Sequence, residues 1–266
     1  MAEWRFLNTG TSHGLFNMAV DAAILAGIED GTSPPTVRVY AWAPPTVSIG
    51  YAQKPDEELD LERCREAGVG VVRRPTGGRA VLHAGELTYS VVGRSGEPPL
   101  GGSIAEAYRA IAEALVRGLA GLGVKALLAP APSAGPGRSG AASPPCFVST
   151  GRFEIVAGGR KLVGSAQRRT DRAVLQHGSL LLDASHSGLA DLLRVRSDGE
   201  REVLRRMLTE KTADLKTLLE AAPGFRRTAT AVRAGFEERW GERLADGALS
   251  ECEKRVAKEL ATEYAV

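Results

Sequence analysis

The chain has 266 residues, 43% hydrophobic and 25% charged, with a formal net charge of +2. That is ordinary soluble-protein composition with enough material for a substantial core, and it offers no electrostatic case for nucleic acid. No run approaches the roughly 18–20 apolar residues of a membrane span, and the start, "MAEWRFLNTG", lacks a basic segment followed by an apolar one.

Cysteine and histidine usage points the same way. Cys64, Cys146 and Cys252 form no CxxC pair, and the four histidines are scattered, so neither a disulfide framework nor a zinc site is expected. The plain expectation is a cytoplasmic protein with reduced thiols.

"GLFNMAVDAAILAGIEDG" carries apolar residues at helical spacing and ends on Gly31, which predicts a helix over about residues 14–29. "TVRVYAWAPPTVSIGY" alternates and predicts two strands broken at Pro44-Pro45. "PDEELDLERCREAG" reads as one short helix ending at Gly68, with Cys64 inside as packing. "VGVVRRPTGGRAVLHAGELTYSVVGR" reads as strand, glycine-bearing loop, strand.

"SIAEAYRAIAEALVRGLAGLGV" opens on a capping box, Ser103 with Glu106, and carries a long apolar stripe. Residues 129–145 are Ala, Pro, Ser and Gly apart from Arg138, a composition that buries too little apolar surface to offset its ordering entropy. An exposed, mobile loop is expected there. "RFEIVA", Gly158-Gly159 and "RKLVGSAQRR" fit a hairpin with a two-residue turn. Strict alternation sets Phe153, Ile155, Leu162, Gly164 and Ala166 on a core face, and Glu154, Val156, Lys161, Val163, Ser165 and Gln167 on a polar face. "AVLQHGSLLLD" is another strand. From about Ser187 the chain reads as amphipathic helices, the last with its own capping box, Ser250 and Glu253, and with a structural Cys252 in its first turn. The irregular order of helices and strands favours an α+β fold, a mixed β-sheet core flanked by helices, over a doubly wound sheet.

Two stretches offer chemistry. In "RRPTGGRAVLH" two glycines flanked by arginines present backbone N–H groups and positive charge to an acyl carbonyl or a phosphate. The pattern is neither a Walker loop nor a dinucleotide fingerprint, and an ordinary turn with a hydrogen-bonded structural His83 is the competing reading. The second stretch holds Cys146 and Lys161. A thiolate is the reactive form of cysteine, and a nearby ammonium favours it. Spacing alone leaves Cys146 open between nucleophile and small buried hydrophobe.

Taken together, "NMAVDAAIL", "VSIGYAQ", "RRPTGGRAVLHAGELTYSVV", "GRKLVGSAQRR", "VLQHGSLLLD" and "GFEERWGERLADGALSECE" resemble, in order, the lipoate–protein ligase and octanoyltransferase family, whose fold is shared with biotin–protein ligases. The likeness extends over nearly the whole chain. It implies one acyltransferase catalytic domain over 1–266, with 187–266 a helical portion packed on it. "VSIGYAQ" resembles a strand bordering the acyl pocket.

Within the family this chain looks closest to the cysteine-dependent octanoyltransferases, because Cys146-Phe147 stands shortly before the hairpin. That resemblance implies a donor, octanoyl-acyl carrier protein, and an acceptor lysine on a lipoyl domain such as the glycine cleavage H protein or a 2-oxoacid dehydrogenase E2. Cys146 is implied as nucleophile and Lys161 as its partner. Arg74, Gly77, Gly78, His83, Ser165 and Ala166 are implied on the substrate side, with oxyanion donors near Gly77-Gly78 or Ser165-Ala166. No metal, cofactor, nucleic acid or membrane is implied. Arg73, Arg74, Arg79, Arg168 and Arg169 are candidates for a basic surface facing an acidic carrier. An ATP-dependent lipoate ligase and a non-catalytic acyl- or carrier-binding protein are the alternatives.

Overall fold

The structure is a computed structural model and describes residues 3–129 and 153–266. Cys146 and nearly all of the 129–145 loop lie outside the described residues. The elements in chain order are β1 (Arg5–Ser12), α1 (Gly14–Asp30), β2 (Thr36–Trp42), β3 (Thr46–Ile49), α2 (Pro55–Glu58), α3 (Leu61–Glu66), β4 (Gly70–Arg73), β5 (Val81–His83), β6 (Glu86–Arg94), α4 (Ile104–Gly121) and β7 (Ala126–Leu128). They continue with β8 (Ile155–Ala157), β9 (Arg160–Arg169), β10 (Ala173–Leu181), α5 (Leu189–Leu192), α6 (Asp198–Lys211), α7 (Leu215–Leu219), α8 (Gly224–Trp240), β11 (Ala245–Asp246) and α9 (Glu251–Leu260). Short 3₁₀ turns cover Ala184–Gly188 and Ala261–Tyr264.

Eight strands form one mixed sheet in the order β11-β1-β2-β6-β10-β9-β8-β7, and β4-β3-β5 form a second, smaller sheet. The Pro44-Pro45 break does more than interrupt a strand. It sends β2 into the large sheet and β3 into the small one. The stretch after the glycine loop splits in the same way at Gly85, whose φ of +60° suits glycine. The sequence reading took it as one strand, but β5 joins the small sheet and β6 the large one.

Each face of the large sheet buries a different set of helices. Val39, Tyr89, Val91 and Val174 pack with Ile111, Leu115 and Phe236 of α4 and α8. Leu7, Val92 and Leu175 pack with Val20, Ile24 and Ala257 of α1 and α9. α1 is buried around most of its circumference because the large sheet, β4 and α9 all touch it. A third cluster, with Val47, Ile49, Leu82, Leu181 and Leu189, joins the small sheet to the rest.

Both capping boxes form as the sequence predicts, Ser103–Glu106 before α4 and Ser250–Glu253 before α9. Several details differ. The helix expected to end at Gly68 is two short helices, because Leu59 is buried and pairs with Leu193 between them. Cys64 is buried as expected, whereas Cys252, expected to be structural, is exposed. The C-terminal portion also contributes one strand, β11, parallel to β1. No helix among the described residues is long and apolar enough to cross a membrane.

Candidate active site

The hairpin between β8 and β9 turns at Gly158 and Gly159, both at positive φ (56° and 74°), as a tight two-residue turn requires. Alternation then fails. Val156 pairs with Lys161, but Ile155 pairs with Val163, so β9 carries one extra residue, a β-bulge. The physical reason is visible in the core, where Leu162 and Val163 are both buried in the same apolar cluster.

The bulge reverses the faces expected beyond it. Ser165 lies opposite Gly178 and Gly178 opposite Tyr89, so Ser165 belongs to the Tyr89 face. Ala166 lies opposite His177, and His177 opposite Ser90, on the face that looks toward α1. By this register Lys161 shares its face with Gly164 and Ala166, not with Ser165 and Gln167. Lys161 is 2% exposed, and its Nζ lies 2.5 Å from Oε1 of Glu154, across the turn.

Between the two sheets is a narrow cavity. Met18, Tyr40, Trp42 and Val81 contribute apolar side chains to its lining, and Ser48, His83, Thr88, His177 and Ser179 are its polar residues. Gly164, Ser165, Ala166, Gly178 and Arg74 complete the wall. Gly164 and Ala166, expected on the core face, thus line the cavity.

Arg74 holds the glycine loop in place, and Arg73 holds the turn after β3. The Arg74 guanidinium, 5% exposed, donates to Ser48 O at 3.0 Å, Ser48 Oγ at 3.1 Å, Gly77 O at 2.7 Å and Arg79 O at 2.9 Å. It is therefore no part of a basic outer surface, as the sequence reading had it. Five donors in a fixed fork suit this bracing task. Arg73 donates to the carbonyls of Gly50, Tyr51 and Gln53. Arg169 is half-buried and bonds Ser95 O, so of the arginine pair only Arg168 is exposed. Gly78, at φ +96°, lies so close to β3 that a Cβ on Gly50 would meet its carbonyl oxygen at 2.1 Å. A Cβ on Gly77 would meet the Tyr51 ring at 3.6 Å, an ordinary contact.

Two buried histidine chains flank the cavity. His83 stacks on Trp42 with ring centroids 4.0 Å apart. Its Nε2 is 2.7 Å from Ser48 Oγ, and its Nδ1 is 2.7 Å from Glu86 Oε1. His177 places Nε2 2.7 Å from Thr76 Oγ1 and Nδ1 3.1 Å from Asp21 Oδ2. Asp21, fully buried on α1, also accepts from Arg38 Nη1 (2.6 Å), Tyr40 OH (2.9 Å) and Ser90 Oγ (2.8 Å). Burial pushes the Asp21 carboxyl up, but Arg38 and His177 outweigh it and hold the group below the usual range. Burial pushes His177 down against the pull of Asp21, so a neutral imidazole faces the cavity. Burial and the Asp21 charge raise the Tyr40 phenol well above its ordinary value.

The structure thus brings Arg74, His83, Ser165 and Ala166 to one cavity, whereas Gly77 and Gly78 do not line it; Gly77 is held by Arg74 and Gly78 is exposed. Lys161 is buried with Glu154 further along β9. Sequence reasoning missed Asp21, Ser48, Glu86 and His177. A signal for Asp21 was available: a carboxylate in the middle of the apolar run "NMAVDAAIL" needs a buried partner. Among the described residues, no group of three or more His, Cys, Asp or Glu is placed to hold a metal ion.

Comparison with known proteins identifies the family. The family model for the lipoyl protein ligase A/B catalytic domain matches residues 13–237. An octanoyltransferase LipM from Kyrpidia tusciae is 46% identical over 265 residues, covering 99% of this chain and 97% of the relative. The octanoyltransferase LipM of Moorella thermoacetica is 41% identical over 266 residues, covering 98% and 95%. Among solved structures, a bi-partite lipoate protein ligase of Thermoplasma acidophilum, studied with its E2 lipoyl domain, superposes with a TM-score of 0.81 at 26% identity, covering 99% of this chain and 93% of that one. A lipoate-protein ligase A bound with ATP gives 0.77 at 27% identity, covering 98% and 95%. The chain belongs to the lipoyl protein ligase A/B catalytic-domain family.

Proposed function

We propose that this chain is an octanoyltransferase of lipoate biosynthesis that works through a cysteine acyl-thioester. The observation that carries the reading is the shape of the site. A narrow, mostly apolar cavity with a few polar groups in its wall, Arg74 among them, suits an acyl chain with a polar carbonyl end. The near-full-length relatives named octanoyltransferase support the same reaction class.

The donor is octanoyl thioesterified to the phosphopantetheine of acyl carrier protein. The Cys146 thiolate attacks the donor carbonyl, a new C–S bond forms, and the donor sulfur leaves and takes up a proton. One thioester replaces another, so the step is nearly balanced. The ε-amine of a lipoyl-domain lysine then attacks the acyl-enzyme. The C–N bond forms, the C–S bond breaks, and the amine proton ends on the Cys146 sulfur. Amide formation makes this half-reaction downhill. Lys161, its ammonium fixed by Glu154, favours the Cys146 thiolate. Backbone N–H groups at Gly77-Gly78 or Ser165-Ala166 receive the oxyanion, contacts worth roughly 3–4 kcal/mol where one such donor has been removed. The protein acts as one cytoplasmic catalytic unit, with the C-terminal helices α8 and α9 packed on opposite faces of the large sheet.

Incubation with octanoyl-acyl carrier protein followed by intact mass measurement tests this. The expected result is a gain of one octanoyl group, lost in Cys146→Ser, and its transfer to an added lipoyl domain. Acylation of the lipoyl domain only from free octanoate and ATP overturns the reading in favour of a ligase. No reaction with either donor favours a binding protein.

A further inference from the structure

Ser48 on β3 and His83 on β5 line the acyl cavity, and Glu86 on β6 backs them. None of the three is more than 6% exposed. Glu86 Oε1 lies 2.7 Å from His83 Nδ1, and it also accepts from Thr88 Oγ1 at 2.5 Å and from Ser179 Oγ at 2.9 Å. Donors converging on one oxygen are the pattern of a carboxylate, which only accepts. The Nδ1–H therefore donates to Glu86, and Nε2 carries the ring's lone pair. That nitrogen accepts the Ser48 hydroxyl proton at 2.7 Å. Ser48 Oγ in turn accepts from Arg74 Nη1 at 3.1 Å. A hydroxyl has one proton and two lone pairs, so one lone pair of Ser48 Oγ has no partner among the described residues.

Glu86 differs from Asp21, the carboxylate of the other histidine chain. Asp21 has Arg38 as counter-ion at 2.6 Å. Among the described residues, no Lys or Arg makes an ion pair with Glu86, and His83 is its sole titratable hydrogen-bond partner. Glu86 Oε2 is buried with no partner at all. A buried carboxylate without a counter-ion is costly. A proton arriving on His83 supplies that counter-ion, whereas a proton on His177 would serve a carboxylate that is already compensated.

Transfer to a lysine needs such a base. The lysine side chain has an ordinary pKa of about 10.4, so the acceptor arrives as an ammonium, with no lone pair for attack. We propose that His83, backed by Glu86, takes this proton through Ser48. The inference rests on the acyl-enzyme reading above. An ammonium N–H donates to the open lone pair of Ser48 Oγ and passes its proton there, while the Ser48 O–H proton moves to His83 Nε2. Glu86 holds the imidazolium that forms. The neutral amine then attacks the acyl carbon, the C–N bond forms and the C–S bond breaks. The second amine proton ends on the Cys146 sulfur, and His83 returns its proton to water. Ser48 meets the substrate; His83 and Glu86 act through it as positioning residues.

The parent enzyme and the variants Ser48→Ala, His83→Gln and Glu86→Gln are loaded from octanoyl-acyl carrier protein. Octanoyl transfer from each loaded enzyme is then timed by intact mass with three acceptors. The lysine of the lipoyl domain and methylamine are both ammonium ions at neutral pH. Methoxyamine is as small as methylamine but is already neutral and needs no base. Each variant should lose on the order of a hundredfold with the first two acceptors and far less with methoxyamine. Glu86→Gln keeps an acceptor for the three bonds and removes the charge, and Ser48→Ala removes one hydroxyl, so the idea is tested even if His83→Gln fails to fold. An equal loss with all three acceptors marks a structural role and overturns the proposal. So does no loss, a loss confined to the lipoyl domain, or failure of the variants to load when the parent does. A parent enzyme that gains no octanoyl group removes the acyl-enzyme reading itself, whereas the other adverse outcomes remove only the base.

Discussion

Glu154 and Lys161 face each other across the Gly158–Gly159 turn, with carboxylate and ammonium 2.5 Å apart and almost fully buried. Three facts of local structure place them there: the tight turn, the Val156–Lys161 pairing and the bulge at Leu162. A buried pair of this kind is not strong evidence of added stability, but breaking it from one side leaves an uncompensated charge. Glu154→Ala is therefore expected to cost about 3–5 kcal/mol, read as a shift in denaturant midpoint. A neutral pair, Glu154→Gln with Lys161→Met, should recover most of that loss while acylation stays slow. If the single variant is as stable as the parent, the ion pair has no structural role.

Lys161→Ala separates the lysine's chemical role from its structural one. Single-turnover acylation should slow strongly, by on the order of a hundredfold, within the usual range for a positioned acid–base group. Near-normal acylation of a folded Lys161→Ala protein would mean another group activates the thiol.

The glycine loop is set by a close approach between two backbones. A methyl group on Gly50 would meet Gly78 O at 2.1 Å, and a backbone atom cannot give way as a side chain can. Gly50→Ala should displace the loop that Arg74 braces and lower kcat/KM for acylation by more than tenfold, of the order seen for misplaced reacting groups. The loss of global stability should stay within about 1–3 kcal/mol. A variant with parent-like kinetics would show that the loop position is unimportant.

Much of this was legible in the sequence, for reasons that are local. Ser103 with Glu106 and Ser250 with Glu253 announce helix starts because the capping bonds span only three residues. Gly158-Gly159 announces a hairpin because few other dipeptides adopt its turn. The bulge was not legible, since nothing in "RKLVGSAQ" says which residue is extra; the core decides by accepting both Leu162 and Val163. Asp21 and His177 are 156 residues apart, and their bond exists only because α1 crosses β10. Arg74 looked like a surface cation among other arginines, yet its guanidinium is consumed by loop carbonyls. β1 went unseen because "RFLNTGTS" is mostly polar; pairing with β2 and β11 makes it a strand.

Stability should fall in mild acid. Burial lowers the pKa of His177 and of His186 in the folded state. The unfolded chain then takes up protons first, near the ordinary histidine value of about 6.5, so stability is fully present above that pH and is lost as pH falls below it. Asp21 has the same sign but a different window, because its depressed carboxyl costs stability only below about 4. Tm should therefore drop as the pH is lowered from about 7 to 5, and His177→Gln should flatten that slope even if its overall Tm is lower. A wild-type Tm constant across this range would contradict the buried neutral imidazole.

Acyl length should respond to the cavity wall. Val81 is buried, lines the cavity and makes no side-chain hydrogen bond that its replacement would orphan. Val81→Phe adds volume where the octanoyl chain is proposed to lie. Each methylene denied burial costs about 0.8 kcal/mol, or roughly fourfold in relative kcat/KM. The variant should thus favour butanoyl or hexanoyl thioesters over octanoyl, with the hexanoyl-to-octanoyl ratio shifting by about fifteenfold for two methylenes. The competition is measured with mixed acyl thioesters and intact mass of the acyl-enzyme. An unchanged octanoyl preference in a folded variant would place the acyl chain elsewhere, and the cavity between the two sheets would lose its assignment.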